Sequence, residues 1–480
     1  MEAIEALFRG IEDLTWGWAL IPLLVVSGGF ITLLTGFVQV RYFKRMFRVL
    51  SAKDEPSGPG SISAREALLI SVGGRVGGGN IAGVAVAITL GGPGAVFWMW
   101  AIALVGMATS LVECSLAQLY KRRQPNGDFR GGPARAILHG LGQQYRWLAI
   151  VYSVCLIAAF GLGFNAFQGN TVAGAVSESF GVSRVATGAC LALMASYIVF
   201  GGIHRIAHVA DIVVPVMAIG YIGISLVIIA MNITALPDVL VDIIYNAFGF
   251  REAVSGGMGA AIAQGLRRGL FSNEAGLGSA PNVAATADVR HPISQGITQS
   301  FSVCIDTLFI CSCTAFIILL GGVYVPGAEG IDGIVLTQQS LVWHVGDWAQ
   351  YAMSLMIILF AFSSIIYNYY LGENALTIIT KHPAAINIMR ILIIGVVFLG
   401  AIAPKATAVF FFADPMMGIL AIVNLVVIIM LLPICLRMLD DFRKQLAAGI
   451  DSPLLNPDDF ADLDIDHAAW QRNVTEGEQA

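Results

Sequence analysis

Charged residues are scarce in this chain: Asp, Glu, Lys and Arg make up 12% of its 480 residues, whereas 57% of the residues are hydrophobic. Soluble domains average about 25% charged residues, so this chain has too little charge to cover a globular surface. That shortage argues against an ordinary cytosolic enzyme. The mean hydropathy of +0.77 favours an integral membrane protein instead.

Motifs of several other protein classes are also absent. The seven cysteines form no CxxC pair and lie in or beside apolar segments, as small core residues do. There is no Walker loop, no HExxH and no basic tract with interleaved aromatics, which disfavours an ATP-driven pump, a metal hydrolase and a nucleic-acid partner. The acidic N-terminus lacks the positive region of a cleavable signal peptide, so we expect it to stay on the mature protein.

Apolar segments of about 20 residues, each able to cross about 30 Å of hydrocarbon, follow one another along most of the chain. They predict an all-α membrane protein with eleven transmembrane helices, because a barrel would show short alternating segments. The spans are placed near residues 18–40, 64–90, 94–119, 146–167, 185–201, 208–231, 250–285, 298–321, 348–372, 386–404 and 413–436.

The placement of positive charge predicts the orientation. With an outside N-terminus and eleven spans, 20 of the 27 Lys and Arg residues fall in cytoplasmic loops and four in outside loops. Cytoplasmic loops of membrane proteins carry this excess, so the C-terminus is predicted to be cytoplasmic. The tail from Arg437 holds 14 charged residues in 44 and is predicted to be a solvated appendage, with a regulatory role as the second interpretation.

Two spans contain glycine-rich polar sequence, at residues 71–80 (SVGGRVGGGN) and 264–281 (QGLRRGLFSNEAGLGSAP). Each glycine disfavours helix by about 1 kcal/mol relative to Ala, so both helices should unwind. We expect Gly73 to end the first half-helix and Asn80 to cap the next one. In the second span, residues 272–274 are expected to open a new helix.

The two interrupted spans are the second and the seventh, five spans apart. Because five is odd, the second block of five enters the membrane from the opposite side, as in a transporter built from two inverted halves. Glycines that merely serve close helix packing would not need Arg, Asn, Ser and Glu beside them. The predicted division is 1–62 (N-terminal segment, extra helix and loop), 63–231 (first repeat), 232–436 (inverted second repeat) and 437–480 (acidic tail).

Several motifs carry a resemblance to a known family: GNIAGVA (79–85), GGPGAVFWMW (91–100), RGGPA (130–134), RGLFSNEAGLGSAP (268–281), HPISQG (291–296) and IDT (305–307). From about residue 60 to about residue 435 the chain resembles the alanine/glycine:cation symporters, also called sodium:alanine symporters. The resemblance implies a multi-pass protein of the bacterial inner (plasma) membrane. It also implies the LeuT-like five-plus-five inverted repeat, here preceded by one extra helix.

A zwitterionic amino acid suits the ends of interrupted helices, where N–H groups face the carboxylate and free carbonyls face the ammonium or a sodium ion. The predicted substrate-binding residues lie in the two breaks and in a family QxN element after the fourth span: Gly77, Gly78, Gly79, Asn80, Phe271, Ser272, Asn273, Glu274, Gln168 and Asn170. For Gln168 and Asn170, a helix cap is the alternative interpretation.

The resemblance implies a sodium site between the carbonyls of Gly73 and Val76 and the hydroxyls of Ser363 and Ser364. These serines are equally able to hydrogen-bond within their own helix. Asp306 is a candidate ligand for another cation, or a partner that neutralises an arginine.

Arg75 departs from the family pattern, and an arginine inside a membrane span is a functional-site hypothesis by default. Three interpretations compete. Arg75 replaces a sodium ion, or it binds a substrate carboxylate as part of the site, or it forms a structural ion pair with a carboxylate of the spans (Glu113, Glu274 or Asp306).

The sequence therefore predicts a monomeric secondary transporter, not an enzyme, that carries a small neutral amino acid such as alanine or glycine with sodium by alternating access. Membrane lipid is the expected surrounding, and neither an organic cofactor nor nucleic acid is expected. Two alternatives stay open: a proton-coupled or cation-independent transporter in which Arg75 replaces the ion, and a transport-silent amino acid sensor. A channel is disfavoured because nothing resembles a selectivity filter.

Overall fold

The computed structural model describes residues 8, 10–51, 61–251, 257–326, 333–403 and 407–470, which are almost entirely helical. In this part of the chain, eight helices are long and apolar enough to cross a membrane, or nine if one bent pair is a single span. The all-α membrane prediction is confirmed. The count of eleven stays a prediction, since the apolar helix Arg184–Val199 has only 16 residues.

In chain order the helices are α1 (Gly10–Leu34), α2 (Val38–Arg41), α3 (Phe43–Ser51), α4 (Ala64–Arg75), α5 (Gly79–Gly91), α6 (Gly94–Leu119), α7 (Pro133–Ala136), α8 (Gln143–Phe180), α9 (Arg184–Val199), α10 (Gly202–Met231), α11 (Leu236–Ala247), α12 (Gly257–Asn273), α13 (Ala280–Ala284), α14 (Pro292–Leu319), α15 (Gly333–Val345), α16 (Trp348–Ile379), α17 (Pro383–Ile402), α18 (Thr407–Ala447) and α19 (His467–Trp470). Two short strands, β1 (Arg122–Arg123) and β2 (Phe129–Arg130), pair antiparallel between α6 and α7.

The first predicted break is present between α4 and α5, whose axes differ by 53°. The prediction that Gly73 ends the first half-helix is wrong. Helix α4 continues to Arg75, and the next residue, Val76, is extended. A Cβ at Gly73 would lie 3.2 Å from the Cβ of Ser363 and 2.7 Å from Val214. This glycine therefore serves close packing within the helix rather than chain termination.

The second break follows α12 and has a left-handed backbone, with φ of +54° at Glu274, +84° at Gly276 and +83° at Gly278. Glycine adopts this conformation without the Cβ clash that other residues meet. The prediction that residues 272–274 open a new helix is wrong: Ser272 and Asn273 end α12, and the next helix starts only at Ala280.

Wider π-helical turns occur in three elements that meet at these breaks. They cover Gly79–Gly83 at the start of α5, Ile157–Phe164 within α8 and Cys304–Cys311 within α14. Such turns re-aim side chains and are frequent at functional sites. Helix α6 packs lengthwise against both α12 and α14, so it backs the second break.

The C-terminal segment does not behave as the solvated appendage that its charge predicts. Residues 451–470 fold back onto one end of the bundle, and Trp470 Nε1 donates to the Leu119 carbonyl at 3.3 Å. The segment buries four large apolar side chains: Leu455, Phe460, Ile465 and Trp470. Burial of these apolar side chains docks the segment on the bundle although its sequence is acidic. The remainder of the predicted tail, 471–480, lies outside the described residues.

All seven cysteines are free thiols. Six of them are buried in the bundle, which agrees with their prediction as small core residues. Cys190, on α9, is the exposed one.

Candidate functional site

Asp306 connects the two breaks through its carboxylate. Its Oδ1 accepts a hydrogen bond from Asn80 Nδ2 at 2.6 Å, and its Oδ2 accepts from Ser272 Oγ at 2.9 Å. Thr307 Oγ1 donates to the same Oδ2 at 2.7 Å. Asp306 lies in the π-helical turn of α14 and is fully buried. One side chain thus holds the start of α5 against the end of α12.

The prediction that Asn80 caps α5 is wrong. Gly78 occupies the cap position, and no side chain caps the helix there. Asn80 Oδ1 instead accepts from the Gly77 backbone N–H at 2.9 Å. Because an N–H only donates, this bond fixes which amide atom is oxygen, and Nδ2 must face Asp306. The side chain therefore fastens the unwound backbone to the carboxylate.

The glycines of the first break allow neighbouring elements to approach the backbone. A Cβ at Gly77 would lie 2.8 Å from Ser364 Oγ and 3.1 Å from Gln168 Nε2. A Cβ at Gly78 would lie 2.9 Å from the Phe167 ring. At Gly79 the closest atom would belong to Phe271, at 3.4 Å, so α8, α12 and α16 all meet the break here.

The structure separates the two members of the predicted QxN element, and both lie within α8 rather than after it. Gln168 is 4% exposed and faces the break, and its Oε1 has no hydrogen-bond partner. Asn170 Nδ2 donates to the carbonyls of Gly400 at 3.0 Å and Ala403 at 2.7 Å. Asn170 thus closes the end of α17, which is the capping alternative, while Gln168 stays with the site.

Asn273 and Glu274 lie at the second break. Asn273 Oδ1 accepts from the Ala275 N–H at 3.0 Å, while its Nδ2 is buried without a partner. The Glu274 carboxylate accepts from the hydroxyls of Ser279 and of Tyr367, the latter at 3.2 Å. The Tyr367 ring covers the backbone of α4 beside the first break.

The predicted sodium ligands on α4 and α16 lie together. Ser363 Oγ donates to the Gly73 carbonyl at 2.7 Å, and Ser364 Oγ reaches the Gly74 carbonyl at 3.1 Å. Both hydroxyls also reach the Phe360 carbonyl of their own helix, so the alternative interpretation is observed as well. Val76 is extended and ends the helical hydrogen bonding of α4. Carbonyl and hydroxyl oxygens of this kind suit a hard cation such as sodium.

Arg75 points away from the glycines of the break, towards α6 and α14. Its guanidinium donates to the Ser302 hydroxyl, to the Gln299 carbonyl at 3.4 Å and to Ser110 Oγ at 3.4 Å. Of the three interpretations of Arg75, the structural ion pair is not observed: among the described residues, its hydrogen-bond partners are neutral oxygens and no salt bridge joins it to Glu113, Glu274 or Asp306. The other two interpretations stay predictions. Arg267 pairs instead with Glu12 of α1, an acid that is not one of the three carboxylates considered in the sequence.

Sequence reasoning missed Glu113 as a support of the second break and Asn424 altogether. Glu113 Oε1 accepts from the Gly276 N–H at 3.2 Å, and its Oε2 accepts from Asn424 Nδ2 at 2.8 Å. An acidic residue inside an apolar span was itself a signal. The sequence also contains a signal for the partners of Arg75. Gln299, Ser302 and Asp306 follow helical spacing, so they form a polar face on an apolar span.

A sequence profile described as the sodium:alanine symporter family matches residues 1–456. The amino-acid carrier protein AlsT of Bacillus subtilis is 47% identical over 93% of this chain and 95% of its own length. The probable sodium/glutamine symporter GlnT of the same species is 46% identical over 94% and 93%. The sodium/alanine symporter AgcS of Methanococcus maripaludis is 36% identical over 89% and 94%.

Among solved structures, a manganese transporter of Eremococcus coleocola superposes with a TM-score of 0.50 over 78% of both chains. At 13% identity this likeness concerns the fold alone. Within the residues that the structure describes, no three His, Cys, Asp or Glu side chains are grouped to hold a metal ion.

Proposed function

Because this chain belongs to the sodium:alanine symporter family, we propose that it moves a small neutral amino acid, alanine or glycine, together with sodium by alternating access. Family membership makes the chain an amino acid symporter of the sodium/alanine type and not an enzyme. Its apolar helices make it a multi-pass membrane protein.

The observation that carries the proposal is the Asp306 carboxylate, which links Asn80 of the first break to Ser272 of the second. A site between two interrupted helices is where transporters bind substrate and coupling ions. Two buried amide atoms beside it lack partners, the acceptor Gln168 Oε1 and the donor Asn273 Nδ2. Buried polar atoms are rarely left unsatisfied. A zwitterion supplies both partners: an ammonium for Gln168 and a carboxylate for Asn273.

Sodium binds, in this proposal, between α4 and α16. The carbonyl of Gly73 and the hydroxyls of Ser363 and Ser364 already converge there, and Val76 adds a carbonyl outside the helical ladder. When the ion is bound, the serine hydroxyls turn their lone pairs towards it. Asp306 holds a further cation between the breaks.

The proposed architecture has eleven spans, counting α9 and the interrupted α12 with the longer helices. It has the five-plus-five inverted repeat, an outside N-terminus and a cytoplasmic C-terminus in the inner (plasma) membrane, and it functions as a monomer. The distribution of Lys and Arg and the likeness to the manganese transporter fold support it.

Uptake into proteoliposomes tests the proposal. Labelled alanine, glycine, serine and glutamine are supplied under an inward sodium gradient, an equal potassium gradient and a proton gradient. Sodium-stimulated uptake of alanine or glycine is expected, and it should fall in a Ser363→Ala/Ser364→Ala variant. If glutamine is the only amino acid taken up, the substrate is glutamine and the proposal of alanine or glycine is wrong. Uptake indifferent to sodium would support the cation-independent alternative with Arg75 in place of the ion, and binding without flux would support a sensor.

A further inference from the structure

The docked segment 451–470 is bonded to two elements of the proposed second repeat. The Asp462 carboxylate accepts two hydrogen bonds from Arg437 of α18, both at 2.8 Å. The Leu455 N–H donates at 3.0 Å to the carbonyl of Arg290, which lies in the loop between α13 and α14. The segment thus lies over the end of the bundle where this loop and α18 meet.

The same segment is also bonded to the proposed first repeat, at the loop after α6 and the turn after α7. The Asp464 carboxylate accepts from Arg122 Nη2 at 2.6 Å and lies 2.5 Å from His139 Nδ1. Asp466 Oδ2 accepts from the Arg123 N–H at 2.9 Å. One short segment therefore joins the two repeats at a single end of the bundle.

Beneath Trp470, a buried lysine connects the docking surface to the second break. The Lys121 side chain is fully buried, its ammonium lies 4.3 Å from the Trp470 ring centre, and it donates to the Ala287 carbonyl at 3.0 Å. Ala287 follows α13, on which Asn282 Nδ2 donates to the Gly278 carbonyl at 2.9 Å. Trp470 therefore covers the place where the end of α6 holds the chain that leaves the second break.

This end of the bundle is closed in the structure. Asn374 Nδ2, on α16, donates to Asn282 Oδ1 and to the Gly131 carbonyl, each at 2.8 Å. Arg130 of β2 pairs with Glu373 of α16 at 2.7 Å. Strand β2 and the turn after it are thereby fastened to α13 and α16.

The opposite end of the bundle is more open. A cavity of about 430 Å³ is lined there by Phe167 of α8, Arg184 at the start of α9 and Ile334 of α15. The Phe167 ring reaches the first break, where a Cβ at Gly78 would lie 2.9 Å from it. The structure therefore has the form that alternating access requires, with the end under the docked segment closed and the other end open.

We infer that the docked segment 451–470 is a latch that holds this end closed and limits the rate of transport. A contact made in only one conformation stabilises that conformation and lowers the population of the other. Because Asp462 is bonded to one repeat and Asp464 to the other, the repeats separate at this end only after one of these bonds breaks. The inference rests on the proposed symport and adds a regulatory step to it.

Alanine uptake by the full chain in proteoliposomes tests the latch. The Asp462→Asn/Asp464→Asn variant removes both ion pairs and keeps the buried apolar side chains of the segment, so the protein should still fold. Its maximal uptake rate, normalised to protein in the membrane, should rise about threefold, since exposed ion pairs are individually weak. The alanine concentration that gives half of this rate should stay unchanged, because the latch does not touch the breaks.

Asp458→Asn/Asp459→Asn is the matched control. It removes the same charge from the same segment, at two exposed positions whose carboxylates bond to no described residue of the bundle. The Asp459 carbonyl, which accepts from Arg437, is not altered. The control should transport alanine at the rate of the unmodified protein.

Cysteine labelling measures the opening itself and needs no transport. A Thr286→Cys reporter, in a Cys190→Ser background, places a thiol at a position that is 3% exposed in the loop after α13. Thr286 Oγ1 donates to the Val283 carbonyl of the same turn, so the reporter leaves the contacts of the latch intact. In detergent, the reporter should react with a maleimide faster in Asp462→Asn/Asp464→Asn than in the control.

Faster labelling together with faster uptake supports the latch. Equal labelling in the two double variants overturns it, and so does an uptake rate that stays equal or falls when the segment is released. If the unmodified protein takes up no amino acid under any gradient while labelling still becomes faster, the proposed function fails and the closure of this end by the segment stands.

Discussion

At the residue scale, Asn80 shows how one side chain specifies an irregular backbone. Its amide oxygen binds the Gly77 N–H and its amide nitrogen binds Asp306, so both ends of the amide are used within the break. Aspartate at this position would put a carboxylate against Asp306. The geometry therefore requires an amide at residue 80, which the motif alone did not reveal.

Replacing Asn80 by Ala should reduce sodium-driven uptake at least about tenfold, because the break loses its link to Asp306 and about 1–3 kcal/mol of hydrogen bonding. The initial rate of alanine uptake, normalised to protein in the membrane, measures the effect. Asn232→Ala is the control, since the Asn232 amide bonds to the Ile228 carbonyl at the end of α10 and to His344 of α15 and contacts neither break. Loss of Asn80→Ala protein from the membrane would make the residue structural instead.

Gly74 should not tolerate a methyl group. A Cβ there would lie 2.2 Å from the Tyr367 ring. Overpacking of this kind lowers the free energy of unfolding by about 1–3 kcal/mol. Gly74→Ala is therefore expected to lower the midpoint of thermal unfolding in detergent. Gly83→Ala is the matched control, because a Cβ at Gly83 meets nothing within 4 Å and alanine favours helix. Equal midpoints for the two variants would contradict the packing of Tyr367 on α4.

At the element scale, the second break is a stretch of backbone whose hydrogen bonds are made by side chains. Glu113 and Asn424 satisfy the N–H and carbonyl of Gly276. Tyr152 OH donates to the Gly278 carbonyl at 2.6 Å. Non-helical backbone persists at membrane depth only with such partners. Helices α6, α8 and α18 therefore hold the break from three sides.

Removing the Tyr152 hydroxyl should loosen this break. Tyr152→Phe deletes the hydrogen bond to Gly278 and the one that Asn282 Nδ2 donates to the hydroxyl, each worth about 1 kcal/mol, and leaves the ring in place. We expect a lower maximal uptake rate with little change in protein yield. Tyr351→Phe is the control, because the Tyr351 ring is exposed and its hydroxyl forms no hydrogen bond to any of the described residues. An unaffected rate in Tyr152→Phe would mean that Asn282, which also donates to Gly278, suffices to hold the break.

The existence and position of both breaks were predictable because clustered glycines weaken a helix wherever they occur. Their boundaries were not, because those depend on partners from distant parts of the chain. Ser363 packs on Gly73, where α4 stays helical. Glu113 accepts a hydrogen bond from the Gly276 N–H, and this residue stays outside any helix. The roles of Gln168 and Asn170 diverge for a similar reason, since Asn170 finds the end of α17.

At the scale of the whole molecule, the docked segment 451–470 joins the end of α18 to the loop between α6 and α7. Arg437 donates to the Asp462 carboxylate at 2.8 Å, and Arg122 donates to Asp464 at 2.6 Å. The Lys121 ammonium lies 4.3 Å from the ring centres of both Phe129 and Trp470. Net charge alone predicted none of this, because a few apolar residues determine the docking.

Deleting residues 451–480 should destabilise the protein, because it uncovers the apolar surface beneath Leu455, Phe460 and Trp470. A fall of about 5 °C or more in the thermal midpoint is expected from the loss of a few kcal/mol. Deleting only residues 471–480 is the control and should change little. If both deletions behave alike, the docked segment contributes nothing to stability.

Acid should release the docked segment. The hydrogen bond from Arg437 lowers the pKa of Asp462. Burial raises the pKa of Asp464, but hydrogen bonds from His139 and Arg122 outweigh burial and hold this pKa below its ordinary value. Both carboxylates therefore stabilise docking above the ordinary pKa of 3.8, and this stabilisation disappears as the pH falls below it.

Limited proteolysis of residues 451–470 across pH, or Trp470 fluorescence, follows this release. Cleavage or emission should stay constant from pH 7 to about 4 and change below that value. An Asp462→Asn/Asp464→Asn variant should show weaker docking at neutral pH and no further acid transition. Release between pH 5 and 7 would contradict the assignment to these carboxylates.

The solitary exposed thiol on α9 gives the unmodified protein a ready attachment point for a spectroscopic probe. Cys190 lies on α9, which the proposed architecture places in the membrane, so its thiol faces lipid and should react with a membrane-permeant maleimide while the six buried cysteines stay protected. A fluorophore or nitroxide is then introduced without deleting any native residue. A second label on an introduced cysteine in the segment 451–470 would then report the distance between α9 and that segment. Such pairs allow substrate- and ion-dependent motion to be watched in a chain whose sequence is otherwise intact.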